Sequence, residues 1–380
     1  MPSPSTLELF TPFFVNLTDP RINRSKRHTL RNILILAACA TLGGANGWAD
    51  VERFGKAKLD FFRRFLDLPH GIPSHDTFGR VFARLDPVAL LACIQQRLAA
   101  RGAAAAGEVA ASDGKTLRGS SDTAAGQSPL HRVSAGATEA RLLLGQVAVD
   151  ATPNEITAIP LLLELLGVRG RIVTTDAMGC QKEIAAAIRA READHVPAVK
   201  ENQPALYPAV HEAFMAHAEA DFAGPSLRRL KAVERGHGRE ETREYFCAAA
   251  PAELLHGGHW EDVRDIGMVT RARVVGGVGS DEIVYYLSSL PPRVRAFAKA
   301  VRGHWGIEDR LHWGLDVTFA EDRCRVRKGH GPANLGMLRR LALRILQQGT
   351  SCKESLRGKR LPAGWDEGRL LTLLTAFSGK

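Results

Sequence analysis

From residue 108 onward, short apolar runs alternate with amphipathic stretches, and their order limits the folds open to this chain. Segments 108–113, 131–135 and 142–150 have strand character, with Gly145 suited to a bulge. Thr152 and Pro153 open a helix that runs to 166. Thr152 stands at the cap, Pro153 in the first turn, Glu155 three residues after Thr152, and Gly167 at the end. Segment 171–176 predicts a strand, 181–191 a helix, 195–200 a strand and 204–218 a helix. The order is β-β-β-α-β-α-β-α. Three antiparallel strands followed by alternating units predict an α/β (α+β) fold, a mixed sheet with helices on both faces.

The flanks differ from this pattern. Residues 1–105 predict a helical module. Its stretch 33–42 (ILILAACATL) is too short to cross a bilayer and predicts a buried helix instead. Segment 48–66 carries apolar residues at helical spacing. Ser74 or Asp76 is positioned to cap the next helix, Asp86-Pro87 starts another, and the run GAAAAG at 102–107 marks a boundary. Residues 225–292 abandon the alternation for turn-rich strand segments at 241–247, 266–275 and 283–290. A helical pattern resumes over 294–313 and 334–348. The expected division is a module at 1–105, a first core segment at 106–224, a β-rich insertion at 225–292, further core helices at 293–350 and a tail at 351–380.

Charge narrows the partner. The chain of 380 residues carries a formal net charge of +10. The excess is clustered, with five Lys/Arg in 21–31 (RINRSKRHTLR) and four in 323–328 (RCRVRK). Clusters of this kind suit a phosphate backbone, because neutralising phosphates releases condensed counterions. The six cysteines are scattered with no CxxC pair, which predicts reduced thiols and a cytoplasmic location rather than a disulfide framework or a zinc site.

Three carboxylates stand in distinctive settings. Asp113 ends the run EVAASD, Asp176 ends RIVTTD, and Glu308 lies in the helical stretch VRGHWGIEDRLHW. If the two strands are parallel neighbours, both aspartates emerge at one sheet edge, where ligands gather in such folds. Paired aspartates repel as anions unless cations separate them. Hard carboxylate oxygens suit magnesium or manganese, and two such ions support in-line displacement at phosphorus. Each signal has an ordinary reading as well: Asp113-Gly114 as a turn, Asp176 as a helix cap, Glu308 as a surface partner of Arg302 or Arg310. Asp316, Glu321 and Asp322 compete with Glu308 for the third position. Lys115, Lys200 and Asn202 fall near the same edge. Trp305 and Trp313 flank Glu308, with His304 beside them, and an indole there is either core or a platform for an unpaired base.

At these residues the chain resembles a bacterial insertion-sequence transposase of the H-repeat-associated subgroup, within the DDE superfamily. The resemblance rests on DGKTLRGS (113–120), TTDAMGCQKEIA (174–185), KENQPAL (200–206), HWGIEDRLHWGLDVTFAEDRCRVRKG (304–329) and NLGMLRRLALRIL (334–346). It implies a ribonuclease H-like core interrupted by a β insertion before the glutamate helix. The interval from Asp176 to Glu308, about twice that from Asp113 to Asp176, has room for one. Carried over by position, Asp113, Asp176 and Glu308 become the metal-binding triad for two Mg²⁺ or Mn²⁺ ions. The implied partners are double-stranded DNA, both terminal inverted repeats and target, and a second copy of the chain to hold two ends together. Where the superfamily places a Tyr, an Arg and a Lys around the glutamate, this chain has Val301, His304 and Leu315. Phosphate contacts are therefore expected from Arg302, Arg310, Arg323, Arg325, Arg327 and Lys328.

Overall fold

The computed structural model describes residues 14, 17–22, 26–99, 107–117, 130–137, 142–149, 155–164, 167–224, 227–236, 239–252, 254, 260, 262–306, 311, 313–349 and 354–378. Five helices come first: α1 (Leu30–Leu42), α2 (Trp48–Ala57), α3 (Leu59–Arg63), α4 (His75–Arg84) and α5 (Pro87–Ala99). In α1 every residue except Arg31 is buried, as its continuous apolar run requires. The Thr29 hydroxyl accepts from the Asn32 N–H at 3.2 Å and starts the helix. Ser74, one of the two expected candidates, caps α4 by accepting from the Thr77 N–H at 3.3 Å. At the start of α5 the Asp86 carboxylate takes the Val88 N–H at 3.0 Å, with Pro87 at the first helical position.

The sheet follows. Its strands are β1 (Val109–Leu117), β2 (Leu130–Ala137) and β3 (Leu142–Val149), then β4 (Ile172–Thr175) after α6 (Glu155–Glu164) and β5 (Asp194–Val199) after α7 (Lys182–Arg189). Helix α8 (Leu206–Glu219) precedes four further strands, β6 (Arg228–Gly236), β7 (Arg239–Ala249), β8 (Asp265–Val275) and β9 (Val278–Ser288). Among the described residues they form one nine-stranded sheet, ordered β3-β2-β1-β4-β5-β9-β8-β7-β6. The β1–β2 and β2–β3 pairs are antiparallel, whereas β1–β4 and β4–β5 are parallel. The β2–β3 register shifts at Ala135/Gly136, opposite the expected bulge at Gly145. This mixed α/β arrangement is a ribonuclease H-like fold.

The insertion continues the sheet rather than standing apart. Strand β9 pairs antiparallel with β5, and the β8–β9 hairpin turns on Gly276 and Gly277 at φ 57° and 83°, the left-handed values a two-residue turn needs. Strand β6 is not legible as a strand in the sequence, because RRLKAVERG presents mostly charged side chains. It is an edge strand, where charge on the outer row prevents further pairing.

Helices α9 (Val294–Gly306), α10 (Trp313–Phe319), α11 (Gly331–Gln348), α12 (Leu356–Trp365) and α13 (Glu367–Ser378) complete the chain. Strand alternation sends successive residues to opposite sides of the sheet. Val109 and Ile172 pack with Phe297 and Val301 of α9, while Ala110 and Val173 pack with Ile159 of α6 and Ile184 of α7. Helices α10 to α13 do not cover the sheet core. They join α1 to α5 in a separate apolar core that includes Ile33, Phe62, Phe82, Leu338 and Leu370. The module expected at 1–105 is thus completed by helices from the other end of the chain.

Two buried arginine networks hold that core. The Arg360 guanidinium donates to the carbonyls of Thr41 (3.2 and 3.1 Å) and Ala45 (3.1 Å), to Asn46 Oδ1 (3.2 Å) and to the Thr318 carbonyl. It also lies 4.2 Å from the centre of the Phe319 ring. Glu321 is buried within reach of Arg340 (3.4 Å) and Arg339 (4.0 Å), and Arg339 donates to the Asn46 carbonyl at 3.0 Å. The carboxylate of Glu321 therefore serves two buried cations of the helical core.

Candidate active site

The parallel register of β1 and β4 sets the geometry of the site. Val109, Ala110 and Ala111 pair with Ile172, Val173 and Thr174, and two residues further along each chain come Asp113 and Asp176. Both positions thus lie the same distance beyond the last pair, Ala111 with Thr174, at which neighbouring strands stand ~4.8 Å apart. Strand β1 does not end at Asp113 as expected. It runs on to Leu117, because β2 continues to pair with it after β4 has stopped. Asp113 thus sits within a strand at the point where its other neighbour terminates. The site is a notch in the sheet edge.

The turn after β4 is tightly built. Asp176 Oδ1 accepts from the Gly179 N–H at 3.1 Å. A Cβ at position 179 would lie 2.6 Å from Thr175 Cβ, so glycine is needed for the chain to fold back this closely. The loop after β5 is tied to the same turn. Asn202 Nδ2 donates to the Ala177 carbonyl at 2.9 Å, and Gln203 Nε2 donates to that of Cys180 at 2.6 Å. Burial, and then the nearby Asp176 charge, push the Cys180 thiol up to about 12, which keeps it protonated and unreactive. A cleft of about 620 Å³ opens beside Asp176, lined by Met178, Lys200, Asn202 and Tyr207, with Glu282 and Ile283 from β9 on its far wall. Lys200 is exposed at this rim. The side chain of Lys115 lies outside the described residues.

Helix α9 also approaches the end of β4. His304 Nδ1 and Thr174 Oγ1 are 3.1 Å apart, which anchors the helix two residues before Asp176. The described helix ends at Gly306, and Glu308 and Arg310 lie outside the described residues. Of the three positions where the superfamily motif is absent, Val301 and Leu315 are buried core and His304 makes this anchor.

Arg302, an expected phosphate contact, and Trp305, read as core or as a base platform, both engage the insertion. Arg302 Nη2 donates to both carboxylate oxygens of Glu234 at 2.9 and 2.7 Å. The Arg243 and Arg271 guanidinium groups lie 5.1 and 5.0 Å from the Trp305 ring. Arg302 is thus paired with a carboxylate of the insertion. The partners Glu234, Arg243 and Arg271 were not singled out from the sequence; their signal was the period-two alternation of charge in Arg239, Glu241 and Arg243. Among the rivals for the third carboxylate, Glu321 is occupied by its two arginines.

The loop after Glu321 bends back onto α4. The His330 N–H donates to the Ala83 carbonyl at 3.0 Å. Arg323, Arg325 and Lys328 are exposed on this loop and form no ion pair among the described residues, while Arg327 is half-buried. In the other basic cluster, Arg21 and Lys26 are both drawn onto Asp19, at 2.8 and 3.3 Å. Part of that cluster is therefore internally neutralised.

A mixed sheet of this strand order, parallel at β1–β4 and β4–β5, places the molecule among ribonuclease H-like proteins. Comparison with known proteins is more specific. A family profile described as "Transposase DDE domain" matches residues 105–345, and one described as "DDE_Tnp_1-associated" matches residues 11–97. The chain belongs to this DDE transposase family. It is 36% identical over 363 residues, 94% of this chain and 95% of the relative, to "H repeat-associated putative transposase YhhI" of Escherichia coli K12. It is 40% identical over 280 residues, 73% of this chain and 93% of the relative, to "Uncharacterized protein in dhlA 3'region" of Xanthobacter autotrophicus. A 57-residue segment, 15% of this chain and 68% of the relative, is 47% identical to "Inactive transposase YbfQ" of Escherichia coli K12. Among the described residues no helix is long and apolar enough to cross a membrane.

Proposed function

We propose that this chain is the transposase of an insertion sequence, binding the element's terminal inverted repeats, cutting at their ends and joining them to target DNA. The observation that supports this reading best is the β1–β4 register, whose last pair, Ala111 with Thr174, stands two residues before Asp113 and Asp176. The donor set fits hard divalent cations. Asp176 commits only Oδ1 to the Gly179 N–H, and Oδ2 meets no donor among the described residues. Asp113, Asp176 and Glu308 would hold two Mg²⁺ or Mn²⁺ ions, which when bound activate the attacking oxygen and stabilise the leaving one. Asp113 and Asp176 tolerate each other only with a cation between them. Lys200, on the rim of the cleft, is placed to hold a phosphate beside the one being cut, and Asn202 keeps that rim against the Asp176 turn. Arg323, Arg325 and Lys328 provide backbone contacts further away. Synapsis of two ends implies at least a dimer, acting in the cytoplasm on the nucleoid.

The test is end cleavage and strand transfer on a duplex carrying the terminal repeat, with Mg²⁺ or Mn²⁺. Replacing Asp113, Asp176 or Glu308 by Ala lowers both steps by at least about a hundredfold, the scale at which such groups act. Undiminished cleavage in all three variants defeats the proposal. Cleavage without any joined product would leave a nuclease of the same fold, and salt-sensitive DNA binding with no cleavage a silent relative.

A further inference from the structure

Three groups within four residues of α9 are gripped from outside the helix: Arg302 by Glu234 of β6, His304 by Thr174 of β4, and Trp305 by Arg243 of β7 and Arg271 of β8. The three insertion strands are consecutive neighbours, with Ala232 opposite Arg243 and Arg243 opposite Arg271. Arg243 is buried and ion-paired with Glu241 and, at 3.2 Å, with Glu234. Arg271 pairs with Glu282 of β9. Three guanidinium groups are thus matched by three carboxylates around one indole. A neutral, interlocked set of this kind is held at a helix surface where isolated charges would be expelled.

We propose that the β insertion positions the glutamate of the triad, with Glu234, Arg243 and Arg271 acting as positioning residues through Arg302 and Trp305. This rests on the reading of Glu308 as the third metal ligand. Trp305 precedes Glu308 by only three residues in sequence, so fixing residues 302–305 restrains where the chain sets out toward position 308. It also gives a physical reason for the insertion to lie between β5 and α9. The side of its sheet bearing Tyr245, Cys247 and Val269 closes over α9, while the side bearing Phe246, Ala248 and Met268 packs on α8. The insertion thereby joins the loop beside Asp176, through β9 and the cleft, to the helix that precedes Glu308 in the chain.

The test uses the full chain, Mn²⁺ alone as the probe, and two readouts. Amide hydrogen exchange over 299–313 is measured in the metal-free protein, and Mn²⁺ affinity is measured by titration calorimetry. Glu234→Gln and Arg302→Gln are each expected to speed exchange in that segment and weaken Mn²⁺ binding by about fivefold, the scale of a half-exposed ion pair. Cleavage at saturating Mn²⁺ stays near the parent rate, and Arg302→Lys restores part of the affinity. Glu244→Gln is the control: it removes the Arg229 partner (2.6 Å) on the α8 side of the same insertion, and leaves both readouts unchanged. Parent-like exchange and Mn²⁺ affinity in Glu234→Gln and Arg302→Gln overturn the proposal, as does an equal effect in Glu244→Gln. If Glu308→Ala itself binds Mn²⁺ and cleaves as the parent does, the triad reading fails and the positioning role falls with it.

Discussion

Removing the Arg360 guanidinium should unseat the helical core at a calculable cost. Arg360→Met keeps most of the stem volume but strips five donated hydrogen bonds from four acceptors: the carbonyls of Thr41, Ala45 and Thr318, and Asn46 Oδ1. An orphaned buried acceptor costs ~2 kcal/mol, so the three buried carbonyls together represent ~6 kcal/mol, while the exposed Asn46 turns its Oδ1 to water. Against this stands the cost of burying the cation. Burial, and then the Arg339 charge, push the Arg360 guanidinium down from 12.5 to about 10, a penalty of ~3 kcal/mol that the variant escapes. The net expectation is a loss of ~3 kcal/mol. At this chain length each kcal/mol moves Tm by about 2 °C, giving a fall of ~6 °C by differential scanning calorimetry. Arg360→Lys should recover little, because one ammonium cannot span acceptors presented from three segments. A Tm within about 1 °C of the parent for Arg360→Met, or full recovery with Lys, would refute the reasoning.

The buried Glu321 makes a related prediction. Glu321→Gln leaves Arg339 and Arg340 without their anion and should cost ~3 kcal/mol in urea unfolding at unchanged m-value; a change under ~1 kcal/mol would contradict that role. Asp265 acts in the opposite sense. Burial pushes its carboxyl up from 3.8 to about 7, only partly offset by the Cys247 thiol, so the folded state holds a proton that the unfolded state releases. Stability then falls as pH rises from about 4 to 7, with the full penalty present above 7. The upper bound is ~4 kcal/mol and ~2 kcal/mol is expected once the site relaxes. Asp265→Asn should therefore stabilise the protein at pH 8 and hardly at all at pH 4, and an equal effect at both values would exclude the proton account. Finally, Ala at Arg323, Arg325 and Lys328 together should flatten the dependence of log K on log salt by ~2–3 in anisotropy titrations with terminal-repeat DNA. An unchanged slope would remove this loop from the DNA surface.

How much of this was legible in the sequence varies by element for physical reasons. The alternation from 108 to 218 was written in apolar periodicity, because strands covered on both faces must be apolar throughout, and the observed order agrees with it. Strand β6 was hidden because an edge strand half exposed to water needs few apolar residues, and RRLKAVERG turns only Leu230 and Ala232 to the core while Val233 faces water. The far extent of β1 was hidden for a different reason. Asp-Gly marks a turn locally, yet pairing with β2 carries the strand through it. The β1–β4 register that precedes Asp113 and Asp176 is a property of two segments together, and only the shared position of the two aspartates at the ends of apolar runs hinted at it. Arg302 shows the limit most plainly. A cation beside a candidate catalytic glutamate suggests phosphate, but Glu234, far away in sequence, takes it. Likewise the association of α11 with α1 required knowing which apolar faces meet.

The central claim is that Asp113 and Asp176 together hold a divalent cation, and Mn²⁺ located by anomalous diffraction from a crystal of the protein tests it most directly. The account predicts a manganese peak at the end of β4, ~2.2 Å from a carboxylate oxygen of each aspartate. It also predicts that the peak vanishes in crystals of Asp176→Asn. Ordered manganese elsewhere, with both carboxylates facing away from it and from each other, would contradict the account.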